Sequence, residues 1–359
     1  MRFGFIPGLI VLFLAAGLLR VPAAEPVVER GEIEGARYIV ARPAVWNGRA
    51  LLLAHGFRPE DQPLHAEIYE TRPPVSDLLA QGWLVALTSY RRNGIVLQDA
   101  ITDLDNLRRH ILQEHGQPKA VYLMGESMGG AIATAMMETR SADYAGAVAI
   151  GAALQVESRE RGFRLTRQPR GPILFLTNQT ELAEPRAYVE ATRKSPVAPV
   201  LWRVSRDGHV NVNATEKLTA LAALVRWVEA GSPPPDGIDA TAESAAGESA
   251  VEFAPDNRSA TGRVADVHEV YGNLTLDFRP GDLARLEIEP GASFALEARD
   301  RVFRVLYGKS FDSVPRGEWV AFPDAEGRLA VAINFGHAAK TAGLKPGDPV
   351  KLGAIAARN

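Results

Sequence analysis

Cysteine is absent from the chain, although the sequence runs to 359 residues. Its absence excludes disulfide bonds, a thiol nucleophile and a lipid-modified cysteine behind a signal sequence. Neither sign of charge is in large excess, because the formal net charge is −3 at pH 7, which is too small to indicate nucleic acid or a membrane surface as a partner. Hydrophobic residues make up 46% of the chain, enough for one large and one small domain that depend on their cores for stability.

The first 24 residues have the composition of a secretory signal peptide. Arg2 precedes an apolar stretch at residues 6–19, and small residues at positions 21, 23 and 24 offer a cleavage site. The apolar stretch is too short for a comfortable membrane span. We therefore expect an exported bacterial protein, periplasmic or extracellular, with no stable membrane association after cleavage. An uncleaved anchor is the alternative.

Between residues 37 and 230, apolar stretches of strand length alternate with helical segments. This alternation predicts an α/β fold with a mostly parallel, doubly wound sheet. Apolar residues recur at helical spacing in 97–114, and 216–230 is a second predicted helix. Strands are predicted at residues 37–41, 50–54, 83–88, 120–124, 145–150, 173–177 and 200–204.

The apolar run 121–124 ends in Gly-Glu-Ser-Met-Gly at residues 125–129. A serine in a Gly-x-Ser-x-Gly turn between a strand and a helix is exposed and accessible to a base. Residues 131–137 favour a helix, so the surroundings fit this requirement. We predict that Ser127 is a nucleophile, with an ordinary turn serine as the alternative.

Two further motifs lie on either side of this turn in the sequence. His-Gly-Phe at residues 55–57 ends the apolar run 50–54, and Asp-Gly-His at residues 207–209 leaves the predicted strand 200–204. Together with Gly-Glu-Ser-Met-Gly, these motifs resemble the oxyanion loop, the histidine loop and the nucleophile turn of the α/β-hydrolase superfamily. The resemblance covers residues 35–230 approximately.

In this superfamily an acid and then a histidine follow the serine along the chain. Of the seven histidines, only His209 lies between Ser127 and residue 231, where the composition changes. The resemblance therefore implies that His209 is the general base, and a surface-loop histidine is the alternative.

The acid should follow the preceding strand, which is predicted at residues 173–177. A carboxylate there would fix the imidazole tautomer and stabilise the imidazolium. We favour Glu181, although the superfamily more often has aspartate at this place. Two other carboxylates remain open, Glu184 and Glu157.

The oxyanion hole of the superfamily takes one backbone amide from the residue after the nucleophile and one from an earlier loop. The resemblance assigns these amides to Met128 and Phe57. His55 is expected to orient this loop and is a candidate for substrate binding. Tyr90 leaves a strand at the same end of the sheet and is a second candidate, with an ordinary packed tyrosine as an equal alternative.

These residues predict an exported serine hydrolase that cleaves carboxylic esters and needs no metal or organic cofactor. The connection at 156–169 is too short for a large lid, so we expect an open groove for a small or polymeric ester. A peptidase or amidase with the same triad is an alternative within enzymes. A nucleoside- or polymer-binding protein that uses the hydrolase fold as a scaffold is an alternative from another class.

The composition changes at residue 231, where Gly-Ser-Pro-Pro-Pro begins a segment of small and acidic residues. We divide the chain into the signal peptide, a catalytic domain at 25–230, a flexible linker at 231–258 and a small domain at 259–359. Short alternating strands and turns in the last part predict an all-β barrel or sandwich.

The last domain resembles the C-terminal β-domain of the S-adenosylmethionine hydroxide adenosyltransferase and halogenase family over residues 262–352. The resemblance rests on three segments, 271–275, 327–339 and 343–350. In that family the domain helps to hold adenosine against a partner domain, which is absent here.

The chain also departs from the pattern of that family. Phe335 and His337 stand where the family usually has Arg and Ser, and Pro323–Asp324 replaces an Asn-Ser pair. We therefore expect a binding or oligomerisation role, including a homo-oligomer formed through this domain, in place of adenosyl transfer.

Overall fold

The computed structural model describes residues 25–355, apart from residues 245, 246 and 248 and the side chains of 157 and 158. The predicted signal peptide lies outside the described residues. The described chain forms two sheets of eight strands each.

The first sheet has the order β1-β2-β4-β3-β5-β6-β7-β8. Strands β3 to β8 are mutually parallel, whereas β2 runs antiparallel to both of its neighbours. The prediction of a mostly parallel sheet is therefore confirmed. The strands are β1 Val27–Ile33, β2 Ala36–Arg42, β3 Arg49–Ala54, β4 Leu84–Thr88, β5 Ala120–Glu126, β6 Gly146–Ile150, β7 Ile173–Asn178 and β8 Val200–Val204.

Helices cover both faces of this sheet, and each face has its own hydrophobic core. One core contains buried residues of α2, α3 and α4, and the other contains those of α1 and α5. Because both faces are covered, β4, β6 and β7 are buried along their whole length and are apolar up to the polar residues that end β4 and β7. The helices are α1 Val75–Ala80, α2 Leu97–Glu114, α3 Met128–Thr139, α4 Ala183–Thr192 and α5 Ala214–Ala230.

Helix α5 begins at a buried capping box. The Asn213 side chain accepts a hydrogen bond from the Glu216 amide at 2.9 Å, and the Glu216 carboxylate accepts one from the Asn213 amide at 2.8 Å. Glu216 is completely buried and pairs with Arg206 at 2.9 Å. The same carboxylate accepts a hydrogen bond from the Ala242 amide at 3.0 Å. The Glu216 side chain therefore links the start of α5, the loop after β8 and the segment that follows α5.

The segment after α5 runs beside β8. The amide of Gly237 donates to Leu201 at 2.9 Å, and the amide of Ala240 donates to Arg203 at 2.7 Å. These hydrogen bonds hold this part of the predicted linker along the edge of the first sheet.

The second sheet is a closed barrel. Strand β11 pairs with both β15 and β10, and the closed ring contains every strand of this sheet except β9. Its core includes Phe278 and Phe294, both fully buried. The expected all-β domain is thus present. Its elements are β9 Glu252–Phe253, β10 Ser259–Val267, β11 Leu274–Leu276, α6 Pro280–Arg285, β12 Ser293–Ala298, β13 Arg301–Tyr307, β14 Trp319–Pro323, β15 Leu329–Ile333, α7 Ala338–Ala342 and β16 Pro349–Ala354.

Among the helices of the described residues, none combines the length and the apolar character that a membrane crossing requires.

We expect Glu216→Gln to lower the free energy of unfolding by about 3 kcal/mol, because it leaves the Arg206 guanidinium without its buried counter-ion. Urea unfolding followed by circular dichroism measures the change. Glu190→Gln is the matched control, since its ion pair with Arg193 is exposed and should contribute less than about 1 kcal/mol. Equal losses in the two variants would contradict the central role of Glu216.

Candidate functional site

Ser127 lies in a sharp turn between β5 and α3. Its φ of 57° and ψ of −119° are unusual for a residue with a side chain. The turn brings the helix so close to the sheet that a Cβ on Gly125 would lie 2.0 Å from the Gly129 oxygen. A Cβ on Gly129 would lie 1.9 Å from the Ala54 oxygen. Both positions therefore require glycine, and the strained backbone projects the Ser127 side chain out of the sheet edge.

The structure brings Ser127, His209 and Glu181 together. His209 Nε2 lies 2.8 Å from Ser127 Oγ, and His209 Nδ1 is hydrogen-bonded to the Glu181 carboxylate. The other Glu181 oxygen accepts from the Val210 amide at 3.4 Å. The three side chains thus form one continuous hydrogen-bonded series from hydroxyl to carboxylate.

Two other carboxylates, Glu184 and Glu157, were candidates for the acid beside His209. Glu184 lies in the first turn of α4, and its carboxylate accepts a hydrogen bond from the Gln155 amide at 2.9 Å. The side chain of Glu157 lies outside the described part of the structure.

The loop that carries His209 is fixed by the last residue of β7 and by the loop that follows it. The Asn178 side chain accepts from the Asn211 amide at 2.8 Å and donates to the Asn211 carbonyl at 2.9 Å. Thr180 and Gly208 are also hydrogen-bonded to each other at 3.1 Å. Val210 has a φ of 54°, which is strained for a β-branched residue. These contacts maintain the strained backbone and hold the imidazole against Ser127.

Charge around His209 favours the protonated imidazole. Burial lowers the pKa of His209, but the hydrogen bond and charge of Glu181, with the charges of Asp312 and Glu126, outweigh burial and raise this pKa above its ordinary value. Glu126 stays charged, because its pair with Lys217 at 2.6 Å outweighs burial and lowers its pKa. The site can therefore accept a proton from Ser127 and hold it on the imidazole.

The backbone near Ser127 offers amides for an anionic oxygen. Met128 is the first residue of α3, so its N–H is one of the donors that a helix start leaves without an intrahelical partner. Gly56 lies against the nucleophile, since a Cβ there would be 3.2 Å from the Ser127 Cβ. The His-Gly-Phe segment therefore passes beside Ser127, and the carbonyl of Phe57 accepts a hydrogen bond from the Tyr271 hydroxyl at 3.1 Å.

His55 and Tyr90 support this segment from behind. Burial lowers the pKa of His55 to about 3, so its imidazole is neutral. Its ring stacks on Tyr90 with the centroids 4.0 Å apart, and the Tyr90 hydroxyl donates to the His55 carbonyl at 3.2 Å. Tyr90 has no exposed surface, so a substrate could reach it only if the loop moved.

The C-terminal barrel places further residues at the site that were not predicted to lie there. The ring of Phe311 lies edge-on to the His209 imidazole, with the centroids 5.6 Å apart. Phe335 faces Phe57 at 6.1 Å. Tyr271 and Phe335 lie in motifs of the C-terminal domain and Phe311 in none, but no motif relates any of them to Ser127, because their proximity to the site depends on how the two domains pack.

One group of side chains in the described part of the chain could hold a metal ion. Glu29, His110 and His115 offer ligand atoms within 4.8 Å of one another. Each Glu29 oxygen already lies within 2.9 Å of one imidazole, and the Tyr38 hydroxyl donates to the same carboxylate at 2.5 Å. Tyr38 and His110 both hydrogen-bond to Glu29 Oε1, whereas His115 Nε2 lies near the other oxygen without forming a hydrogen bond.

Two family comparisons agree with the two domains. Residues 93–197 match the family described as serine aminopeptidase, S33, a segment that contains Ser127 and Glu181 but ends before His209. Residues 262–351 match the family described as the S-adenosylmethionine hydroxide adenosyltransferase C-terminal domain. Both resemblances inferred from the sequence are confirmed, because one segment of the chain is similar to the α/β-hydrolase type and another to the C-terminal domain of the second family.

Several solved structures are similar to parts of the chain. An uncharacterized conserved protein from Thermotoga maritima is 21% identical over 36% of this chain and 48% of its own, with a TM-score of 0.27. The Pyrococcus horikoshii acylaminoacyl peptidase is 10% identical over 51% of this chain and 37% of its own, with a TM-score of 0.38. A Pyrococcus furiosus esterase is 15% identical over 57% of this chain and 90% of its own, with a TM-score of 0.43.

The chain spans less than half the length of the first two of these structures. No curated protein matches the chain at a significant level.

We expect Gly129→Ala to destabilise the protein by about 1–3 kcal/mol, because the added methyl group would overlap the Ala54 carbonyl. Thermal and urea unfolding measure the loss. Gly281→Ala is the control, since a Cβ there meets nothing within 4 Å. An unchanged stability of Gly129→Ala would show that the helix does not need this close approach.

Proposed function

We propose that the chain is an exported serine hydrolase that cleaves carboxylic esters through an acyl-enzyme intermediate. The observation that carries the proposal is the hydrogen-bonded series from Ser127 through His209 to Glu181. The signal-like residues 1–24 support export to the periplasm or the extracellular space.

In the first half of the proposed reaction, Ser127 Oγ attacks the ester carbonyl carbon while its proton passes to His209 Nε2. Glu181 accepts a hydrogen bond from Nδ1 and stabilises the imidazolium. The amides of Phe57 and Met128 hold the negative oxygen of the tetrahedral intermediate. The intermediate then collapses, and His209 donates the proton to the leaving alcohol.

In the second half, a water molecule attacks the acyl-enzyme by the same route. His209 takes a proton from the water, and the carboxylic acid leaves as Ser127 recovers its proton. No step requires a metal ion or an organic cofactor.

Amide cleavage is the second candidate, because residues 93–197 match a family described as a serine aminopeptidase. The same three side chains can cleave esters or amides, and the substrate pocket decides between them. The connection between β6 and β7 is too short to form a lid of the kind that covers a long acyl chain, which favours small or polymeric esters over long-chain lipids.

We expect a fluorophosphonate probe to label the mature protein at Ser127 and not to label Ser127→Ala. The probe reports an activated serine whatever the substrate. A series of p-nitrophenyl esters and aminoacyl p-nitroanilides then compares ester and amide cleavage, with faster ester turnover expected. Undiminished labelling of Ser127→Ala would rule out the assigned nucleophile, and an unlabelled wild type would favour a binding protein on a hydrolase scaffold.

The pH dependence should report His209. The imidazole acts as a base only when neutral, so kcat/KM should rise with pH through a midpoint above about 6.5, because the pKa of His209 is raised. Glu181→Gln removes the charged carboxylate that contributes most to raising this pKa, so the midpoint should move to lower pH.

The same variant should lose turnover by about 10³–10⁴-fold, since the imidazolium would lack its counter-charge. Glu184→Gln is the control and should keep both the rate and the midpoint. Normal activity in Glu181→Gln together with a loss in Glu184→Gln or Glu157→Gln would transfer the acid role to the other carboxylate.

A further inference from the structure

The hydrolase domain has no large insertion over its active site, but a loop of the C-terminal barrel lies there. Phe311 begins a short 3-10 turn at Phe311–Ser313, between β13 and β14. Its ring lies edge-on to the His209 imidazole at 5.6 Å, with an angle of 73° between the planes. The proposed base is therefore in contact with a side chain of the second domain.

Phe335 is a second aromatic contact from the barrel. Its ring lies 6.1 Å from that of Phe57, whose amide is a proposed oxyanion donor, and the Arg316 guanidinium covers it at 4.7 Å. The residue remains 54% exposed and has a φ of 55°. A bulky side chain in this conformation is strained, and such strain is concentrated at functional sites.

The packing of the barrel on the site is held by polar contacts on two sides. The Tyr271 hydroxyl donates to the Phe57 carbonyl on the His-Gly-Phe segment. On the histidine loop, Asn211 Nδ2 donates to the Pro323 carbonyl at 2.9 Å, and Lys309 pairs with Asp207 at 3.0 Å. Because both catalytic loops are tied to the barrel, Phe311 and Phe335 keep a fixed position relative to Ser127.

We infer that the barrel forms the second wall of the substrate cleft, and that Phe335 selects esters with an aromatic group next to the scissile bond. Phe311 lies beside the proposed base and Phe335 beside Phe57 on the loop next to Ser127, and aromatic rings pair favourably at centroid separations of about 4.5–7 Å. The exposed part of Phe335 is the surface on which such a group stacks. The inference rests on the proposed esterase function and names its substrate class.

Hydrolysis of three ethyl or acetate esters by the full mature chain tests whether the barrel forms this wall, and a pH-stat measures the rates. Ethyl acetate is small on both sides, ethyl phenylacetate carries the ring on the acyl side, and benzyl acetate carries it on the alcohol side. We expect Phe335→Ala to raise KM about tenfold for the aromatic ester that wild type prefers. The ratio of kcat/KM for that aromatic ester to kcat/KM for ethyl acetate should therefore fall about tenfold, because ethyl acetate makes no stacking contact.

Two further variants make the comparison specific. Val302→Ala removes an exposed apolar side chain of the same barrel and should leave all three esters unchanged. Phe335→Tyr keeps the ring and should retain the aromatic preference. Thermal unfolding of each variant checks that it folds, and if Phe335→Ala unfolds early, Phe335→Leu tests the loss of the ring in its place.

The outcomes separate this inference from the proposed function. Suppose that wild type hydrolyses ethyl acetate and takes up the fluorophosphonate probe. If loss of the ring at position 335 then changes the preference for the aromatic ester by less than twofold, the inference about the barrel wall is wrong and the proposed triad is unaffected. If wild type neither takes up the probe nor cleaves any ester, the proposed function fails, and the substrate class fails with it. A selective loss with the aromatic ester supports the wall.

Discussion

Contact between Gly129 and the Ala54 carbonyl decides where the proposed nucleophile lies. Strands β3 and β5 are adjacent and parallel, with Ala54 paired to Gly125, so both strands end at the same edge of the sheet. The first turn of α3 can enter that edge only because neither glycine has a Cβ. Ser127 and the His-Gly-Phe segment are therefore brought together by the backbone, before any side chain contributes.

The position of the loop that carries His209 depends on a buried carboxylate, that of Glu216. Glu216 ties Arg206, just before the histidine loop, to the start of α5. The cost of burying its carboxylate is offset by the guanidinium and by the backbone amides of Asn213 and Ala242, so the group is stabilising only while all of these partners remain. This rigid base allows Val210 to keep a strained backbone beside His209.

The local hydrophobic pattern of the sequence was sufficient to predict the regular helices and strands with strong periodicity. Helix Leu97–Glu114 and strand Val200–Val204 have the bounds predicted from the sequence, because burial on one or both faces sets their periodicity. The edge strand Val27–Ile33 was not predicted, since it is largely exposed and carries alternating charges. The neighbours of the triad from the barrel could not be predicted either, because they depend on packing between residues far apart in sequence.

Two of the residues that depart from the family that the barrel resembles, Phe335 and Pro323, lie where the barrel meets the first domain. Phe335 replaces the Arg that is usual in that family, and it is this ring that faces Phe57. An arginine there would offer donors to a polar ligand, whereas a phenylalanine offers only an apolar face. Pro323, which also departs from the pattern, accepts the hydrogen bond from Asn211. Phe335 is therefore the altered residue whose side chain itself meets the first domain, whereas the contact of Pro323 is made by its backbone carbonyl, which another residue would also supply.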